Sequence, residues 1–280
     1  MTSDRDDVAG GPAAAEPAPD PASVRDRAAS FGRGARSYAL SRPEYPDAAV
    51  TWLLPDDAGP GTHVLDLAAG TGKLTASLVA RGLRVTAVEP SDAMRDELHS
   101  ALPTVDAVPG HAGAIPLADA SVDAVVVGQA WHWFTPETAV PEIARVLRAG
   151  GRLGIVWNVR DHTVDWVDDF TRIIHRGDSL APTHHTPRLT VDSGPHFGPS
   201  EHTTVPWTDR TSPAGLRALA ASRSYLLTLP PAAREALLAE VDHLVAHHPA
   251  LTGRSDLRLP YRAECWRATR AADAAHPSGG

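Results

Sequence analysis

The stretch Val64-Leu65-Asp66-Leu67-Ala68-Ala69-Gly70-Thr71-Gly72-Lys73-Leu74-Thr75 constrains the fold more than any other part of the chain. A short apolar run ends in a carboxylate, turns through glycines and passes into a helical pattern. A second apolar run, Leu83 to Val88, follows and ends in Glu89. Two acid-bearing strand ends beside a glycine turn describe a nucleotide-type pocket at the carboxyl edge of a parallel sheet.

The surrounding pattern agrees. Strand and helix signals alternate from Thr62 to Trp157, which predicts a doubly wound sheet. The predicted strands are His63–Leu67, Arg84–Val88, Val105–Val108, Val122–Val127 and Arg152–Trp157. Helices are expected over Leu74–Arg81 with Gly82 as C-cap, over Asp92–Ala101 with Ser91 as N-cap, and over Pro136–Leu147. The run Val122–Val127 does not alternate, as expected of a strand covered on both faces. After Asn158 the texture changes. Helical spacing at Trp166, Phe170, Ile173 and Ile174 gives way to a polar Pro/His/Thr-rich loop from Gly177 to Gly198. Helical patterns at Pro213–Ser222 and Pro231–His247 flank Leu226–Leu229, and strands at His202–Trp207 and Leu257–Thr269 would complete the sheet as an antiparallel pair.

Charge placement narrows the ligand. A dinucleotide pyrophosphate would be repelled by Asp66, whereas the sulfonium and ammonium of S-adenosylmethionine (SAM) would be attracted. The third small residue of a dinucleotide fingerprint is replaced by Thr75, and a P-loop is excluded by Leu74 after Gly72-Lys73 and by Leu67 in place of its first glycine. The formal charge of −8 without a Lys/Arg cluster leaves no footprint for nucleic acid or an anionic membrane, so a small-molecule partner is expected. One cysteine, Cys265, excludes an internal disulfide and a Cys-rich metal site and fits a reducing compartment. No apolar run approaches the roughly 20 residues of a membrane span. The amino-terminal residues lack the segments of a signal peptide, which makes the cytoplasm the expected location. Met1 to Ala22 is rich in Ala, Pro, Gly and Asp and reads as a disordered tail, as does His276-Pro277-Ser278-Gly279-Gly280.

With these elements placed, the chain resembles the class I SAM-dependent methyltransferases, within them the small-molecule group called methyltransferase type 11. The resemblance implies a Rossmann-like α/β fold: parallel strands, an antiparallel C-terminal strand, an N-terminal helical lid and a helical cap insertion. The expected layout is a tail over 1–24, a lid over 25–58, a SAM-binding core over 59–160, a substrate cap with sheet-completing strands over 161–270, and a tail over 271–280. The resemblance puts Asp66, Ala68, Gly70 and Gly72 around the methionine portion of SAM and Glu89 on the ribose hydroxyls. Pro90 and Met94 would lie by the adenine, with Ala112 contributing from His111-Ala112-Gly113. Tyr38 and Arg42 would reach over the cofactor from the lid, Arg42 toward the methionyl carboxylate. Gln129 and Ala130 would lie beside the sulfonium.

Gly128-Gln129-Ala130-Trp131-His132-Trp133-Phe134 follows one strand and Trp157-Asn158-Val159-Arg160-Asp161-His162 follows another, so both segments are expected at the acceptor end of the cleft. Displacement at a sulfonium needs alignment and a dry site more than a base. His132 or His162 could take a proton from a hydroxyl or amine, and Arg160 could orient a carboxylate. Trp207, Tyr225, Tyr261 and Trp266 could line an aromatic pocket or be core. His243 and His247 stand one helical turn apart, yet no third ligand accompanies them, and no metal is expected. The expected activity is methyl transfer to a small acceptor, at oxygen. The alternatives are a SAM-binding cyclase or isomerase and a non-enzymatic scaffold, with monomer and homodimer both open.

Overall fold

The computed structural model describes residues 42–178 and 195–272. Tyr38, the loop pair His184-His185, the expected tail over 1–24 and residues 273–280 of the other expected tail therefore lie outside the described residues, whereas Ala271 donates its N–H to the His196 carbonyl at 2.9 Å. In chain order the elements begin with α1 (Asp47–Leu53), β1 (His63–Leu67), α2 (Lys73–Val79), β2 (Arg84–Val88), α3 (Asp92–Ala101) and β3 (Asp106–Val108). Then come β4 (Val122–Gly128), a 3₁₀ turn (Trp131–Trp133), α4 (Pro136–Val146), β5 (Leu147–Arg160) and α5 (Asp165–Ile174). The last are β6 (Glu201–Thr211), α6 (Pro213–Ala221), α7 (Ser224–Thr228), α8 (Pro231–His247) and β7 (Leu257–Thr269).

The seven strands form one sheet in the order β3-β2-β1-β4-β5-β7-β6. The first five are parallel, and β7 runs antiparallel between β5 and β6. The unbroken apolar run of β4 is covered on both faces, as its lack of alternation predicts. Val125 and Val127 meet Ile143 of α4 on one face, while Ala124 and Val126 meet Leu53 of α1 with Leu74 and Leu78 of α2 on the other. The described helix of the amino-terminal region, α1, is thus a covering layer of the sheet.

A separate core builds the cap. Trp166, Val167, Phe170, Thr171 and Ile174 bury one face of α5, and Leu237, Leu238, Val241 and Leu244 bury one face of α8. Both join Leu257, Leu259 and Tyr261 at the start of β7, so β7 belongs to the cap at one end and to the sheet at the other. Tyr261 and Trp266 are buried, and Trp207 stacks on Tyr261 at 5.3 Å.

Two local expectations need correction. Arg152–Trp157 underestimates β5, which begins at Leu147 and reaches Arg160. Gly150-Gly151 lies inside the strand at an irregularity, where the pairing with β4 shifts between Val122 and Ala124. Its far end is carried by pairing with β7 as far as Arg160 with Tyr261. Likewise Leu226–Leu229 lies mainly in the short helix α7 rather than in a linker. Ser91 does sit at the N-cap of α3, but its side chain makes no capping hydrogen bond.

Candidate cofactor and acceptor site

The chain leaves β1 toward β2 and β3, then returns to place β4 on the other side of β1. This is the topological switch point where open α/β sheets hold ligands. Ala68 and Gln129, the residues just past β1 and β4, both adopt left-handed backbone at φ 60. Such conformations cost about 1–3 kcal/mol each away from glycine and concentrate at functional sites. They are held in place by the sheet: Ala68 and Ala69 donate N–H to the Val88 carbonyl at 2.8 and 3.1 Å, and Gln129 donates to that of Val156 at 3.0 Å.

The two glycines of the turn do different work. A Cβ on Gly70, at φ 57, would meet nothing within 4 Å, so this residue faces open space. A Cβ on Gly72, at φ 83, would stand 2.8 Å from Leu98 Cγ, so this residue lets the turn seat against α3. Gly72→Val is therefore expected to destabilise the fold by about 2–4 kcal/mol in chemical unfolding, because backbone strain and overpacking add. Gly70→Ala should cost about 1 kcal/mol and act on ligand binding instead.

Asp66 is 1% exposed and accepts a hydrogen bond from Thr75 Oγ1 at 2.6 Å. Burial, assisted by repulsion from Glu89 and offset in part by Thr75, pushes its pKa up to about 7. Glu89 is buried one residue beyond β2 and clamps two backbone segments. Its Oε2 accepts the Gly70 N–H at 3.0 Å and its Oε1 the Ser91 N–H at 2.9 Å. Burial raises its pKa, against the lowering effect of those two bonds and of Arg95. Four lone-pair directions on a carboxylate leave acceptor capacity beyond two N–H groups. The turn also buries Thr71 Oγ1 with no hydrogen-bond partner among the described residues. Two destabilised carboxylates, an unsatisfied hydroxyl and the space at Gly70 together suit a polar ligand carrying positive charge.

Other expected cofactor residues stand around this turn. Pro90 is exposed directly after Glu89, Met94 is buried in the first turn of α3, and Ala112 and Ala130 are buried in the loops after β3 and β4. Gln129 donates Nε2 to the Asn158 carbonyl at 3.4 Å. Asn158 ties three parts of the edge together. Its Nδ2 donates to the Glu44 carbonyl at 2.9 Å, and its Oδ1 accepts from Trp207 Nε1 at 3.1 Å. Close by, the Tyr45 hydroxyl lies where a Cβ on Gly128 would be, 2.6 Å away, so Tyr45 rests on the end of β4.

The three expected acceptor-side residues are spread along this edge. His132 packs at 4.3 Å from Trp133 and 4.9 Å from Trp157, centroid to centroid. Desolvation by its surroundings lowers its pKa from 6.5, although the residue keeps an exposed edge, so the imidazole is neutral at pH 7. Arg160, three residues after Trp157, points to the opposite face of β5. There its Nε donates to Thr171 Oγ1 at 2.8 Å. His162 lies past the strand and pairs with Asp168 of α5 at 3.5 Å.

Thr71, Thr75, Tyr45 and Arg223, the N-cap residue of α7, are site features that reasoning from sequence missed. Thr75 was legible only as an absent glycine, whereas its hydroxyl holds Asp66. Tyr45 stands three residues after Arg42, the lid residue that the resemblance implies. Arg223 carried none.

Residues 65–155 match a family described as a methyltransferase domain. The chain is 48% identical over 250 residues to an uncharacterized methyltransferase of Mycobacterium tuberculosis (strain ATCC 25618 / H37Rv), covering 89% of this chain and 99% of that protein. Among solved structures, a proposed type II methyltransferase from Anaeromyxobacter dehalogenans is 24% identical with a TM-score of 0.60, covering 83% of this chain and 99% of that one. Phosphoethanolamine N-methyltransferase 2 of Haemonchus contortus was solved with phosphomonomethylethanolamine and S-adenosylhomocysteine. It is 15% identical with a TM-score of 0.50, covering 89% of this chain and 59% of that one. The glycine turn, the paired acids at the strand ends and the full-length relative identify the chain as a member of the class I SAM-dependent methyltransferases.

Proposed function

We propose that this chain transfers a methyl group from SAM to an oxygen atom of a small organic acceptor in the cytoplasm. The observation that carries the cofactor half is the pair of buried acids, Asp66 and Glu89, around a glycine turn with an unsatisfied Thr71 hydroxyl. SAM supplies an electrophilic methyl on a good leaving group. Asp66 would face the cationic amino-acid end, Gly70 would give it room, and Glu89 would accept from the ribose hydroxyls. Arg42 would hold the methionyl carboxylate, with Tyr38 covering from the lid. Met94 and Ala112 would flank the adenine beside Pro90, and Gln129 and Ala130 would border the sulfonium.

The acceptor half rests on the residues past β4 and β5. His132 is a neutral imidazole among aromatic rings, the state in which it can accept a proton from a hydroxyl. His162, paired with Asp168 of α5 at 3.5 Å, would order that segment beside the acceptor. Incubation with SAM and a panel of hydroxyl and carboxyl acceptors should release S-adenosylhomocysteine, with the methyl found on oxygen by mass spectrometry and NMR. Product methylated only at carbon or nitrogen would contradict the oxygen assignment. For a hydroxyl acceptor, His132→Ala should lower kcat about a hundredfold and leave S-adenosylhomocysteine affinity intact.

A further inference from the structure

Arg160 and Arg223 are two half-buried cations that the cofactor half does not use. Arg160 ends β5 four residues past Val156, the last residue paired with β4. At about 3.3 Å per residue it stands about 13 Å beyond that edge. An acceptor meeting a methyl group presented at the strand ends would extend into this space. The Arg160 guanidinium lies 5.7 Å from the centre of the Phe170 ring, its Nη2 is 3.5 Å from His175 Nε2, and Arg160 pairs with Tyr261 in the β5–β7 register.

Arg223 enters from the N-cap of α7, and its Nε is buried with no hydrogen-bond partner among the described residues. It is repelled by Arg160 and by Arg42, and Arg160 is repelled by Arg42, so the three guanidiniums share one field. The described carboxylate that opposes them is Asp178, which acts on Arg223, while burial raises the Tyr261 pKa and keeps its hydroxyl neutral. Asp209 acts on Tyr261 and is itself repelled by Glu44. Burial first, then this mutual repulsion, push the Arg223 pKa well down. A desolvated cation without a paired carboxylate costs several kcal/mol, a cost that a bound anion offsets. Each arginine still meets solvent in part, so a ligand can reach it.

We propose that Arg160 and Arg223 form the acceptor's anchor subsite, and that the acceptor carries an oxyanion group, a carboxylate or a phosphate ester, which the two guanidiniums grip while another of its oxygens receives the methyl. Guanidinium forks match both oxyanions in a bidentate manner. A gripped oxyanion is a poor nucleophile, which keeps anchoring and reaction on separate groups. The assignment rests on the methyltransferase reading above.

The test uses the full chain loaded with S-adenosylhomocysteine and titrated at constant ionic strength with glutarate and, separately, with glycerol 3-phosphate. Saturable binding of either probe is expected, the probe that binds identifying the oxyanion. Arg223→Met should weaken that binding at least about tenfold, with Arg223→Lys between the two. S-adenosylhomocysteine affinity should stay within about threefold of wild type. The ligand-free Arg223→Met protein should melt no lower than wild type, since the substitution removes a repelled cation; a merely structural arginine would lower it. Equal probe binding by wild type and Arg223→Met, or no saturation of either probe on the loaded wild type, would overturn the anchor. A wild type that fails to bind S-adenosylhomocysteine would strike the cofactor reading itself and remove the anchor with it.

Discussion

Glu89→Ala is expected to abolish SAM binding and to lower stability in the same variant. The lost carboxylate accepts the Gly70 N–H at 3.0 Å and the Ser91 N–H at 2.9 Å, joining the glycine turn to the start of α3. Leaving buried donors unsatisfied costs about 1–3 kcal/mol each. Water reaching an open turn reduces this, so about 2–4 kcal/mol is expected in denaturant unfolding. For a domain of this size that corresponds to a fall of about 5–12 °C in Tm. The binding loss is larger. Two charge-assisted hydrogen bonds to ribose, at about 1.5–3 kcal/mol each, amount to at least about a hundredfold in affinity. Calorimetric titration with SAM, beside a melting curve, reads both effects. Undiminished affinity in this variant would remove Glu89 from the site.

Asp66→Asn should separate the same two properties with opposite signs. Asp66 sits at a pKa of about 7 in the folded chain against an ordinary value of 3.8, chiefly because it is buried. Between those values the folded state holds a proton that the unfolded state has lost. Stability therefore falls as pH rises through this window, and the full cost, about 4 kcal/mol, is present above pH 7. Asparagine cannot ionise. Unfolding free energies measured at pH 4 and pH 8 should show the variant gaining about 2–4 kcal/mol on wild type over that interval. Its SAM affinity should nevertheless fall at least about tenfold, because the cationic end of the ligand loses its counter-charge. Wild type should show the linked effect, with SAM affinity weakening by up to about tenfold per unit as pH drops below 7. A pH-independent affinity together with a less stable asparagine variant would assign Asp66 a purely structural role. The residue thus trades stability of the empty site for recognition of a cation, a cost typical of functional positions.

How much of this was legible before the fold was known depended on whether the determining contacts are local. The strands at His63–Leu67 and Arg84–Val88 were read with their observed ends because apolar runs bounded by turns and acids are local signals. The whole of Leu257–Thr269 was legible for the same reason. The extension of β5 to Arg160 was not, since Asn158, Val159 and Arg160 become strand only through their partners Ala263, Arg262 and Tyr261 a hundred residues later. The site divides in the same way. Asp66, Gly70 and Glu89 follow from strand ends and a turn. Sequence spacing placed His132, Arg160 and His162 at one sheet edge, and strand alternation adds that Trp157, with His132, and Arg160 leave opposite faces of β5 there. Arg223 shares a field with Arg160 and Arg42 only through the fold of the elements after β5, which no local signal carries.

The central claim is that the acids at the ends of β1 and β2 hold SAM. Isothermal titration of the wild-type protein with SAM at pH 8, beside Glu89→Ala, tests it most directly. Saturable one-to-one binding by wild type, absent in Glu89→Ala, is the predicted result; no binding by wild type, or equal binding by both proteins, would contradict it.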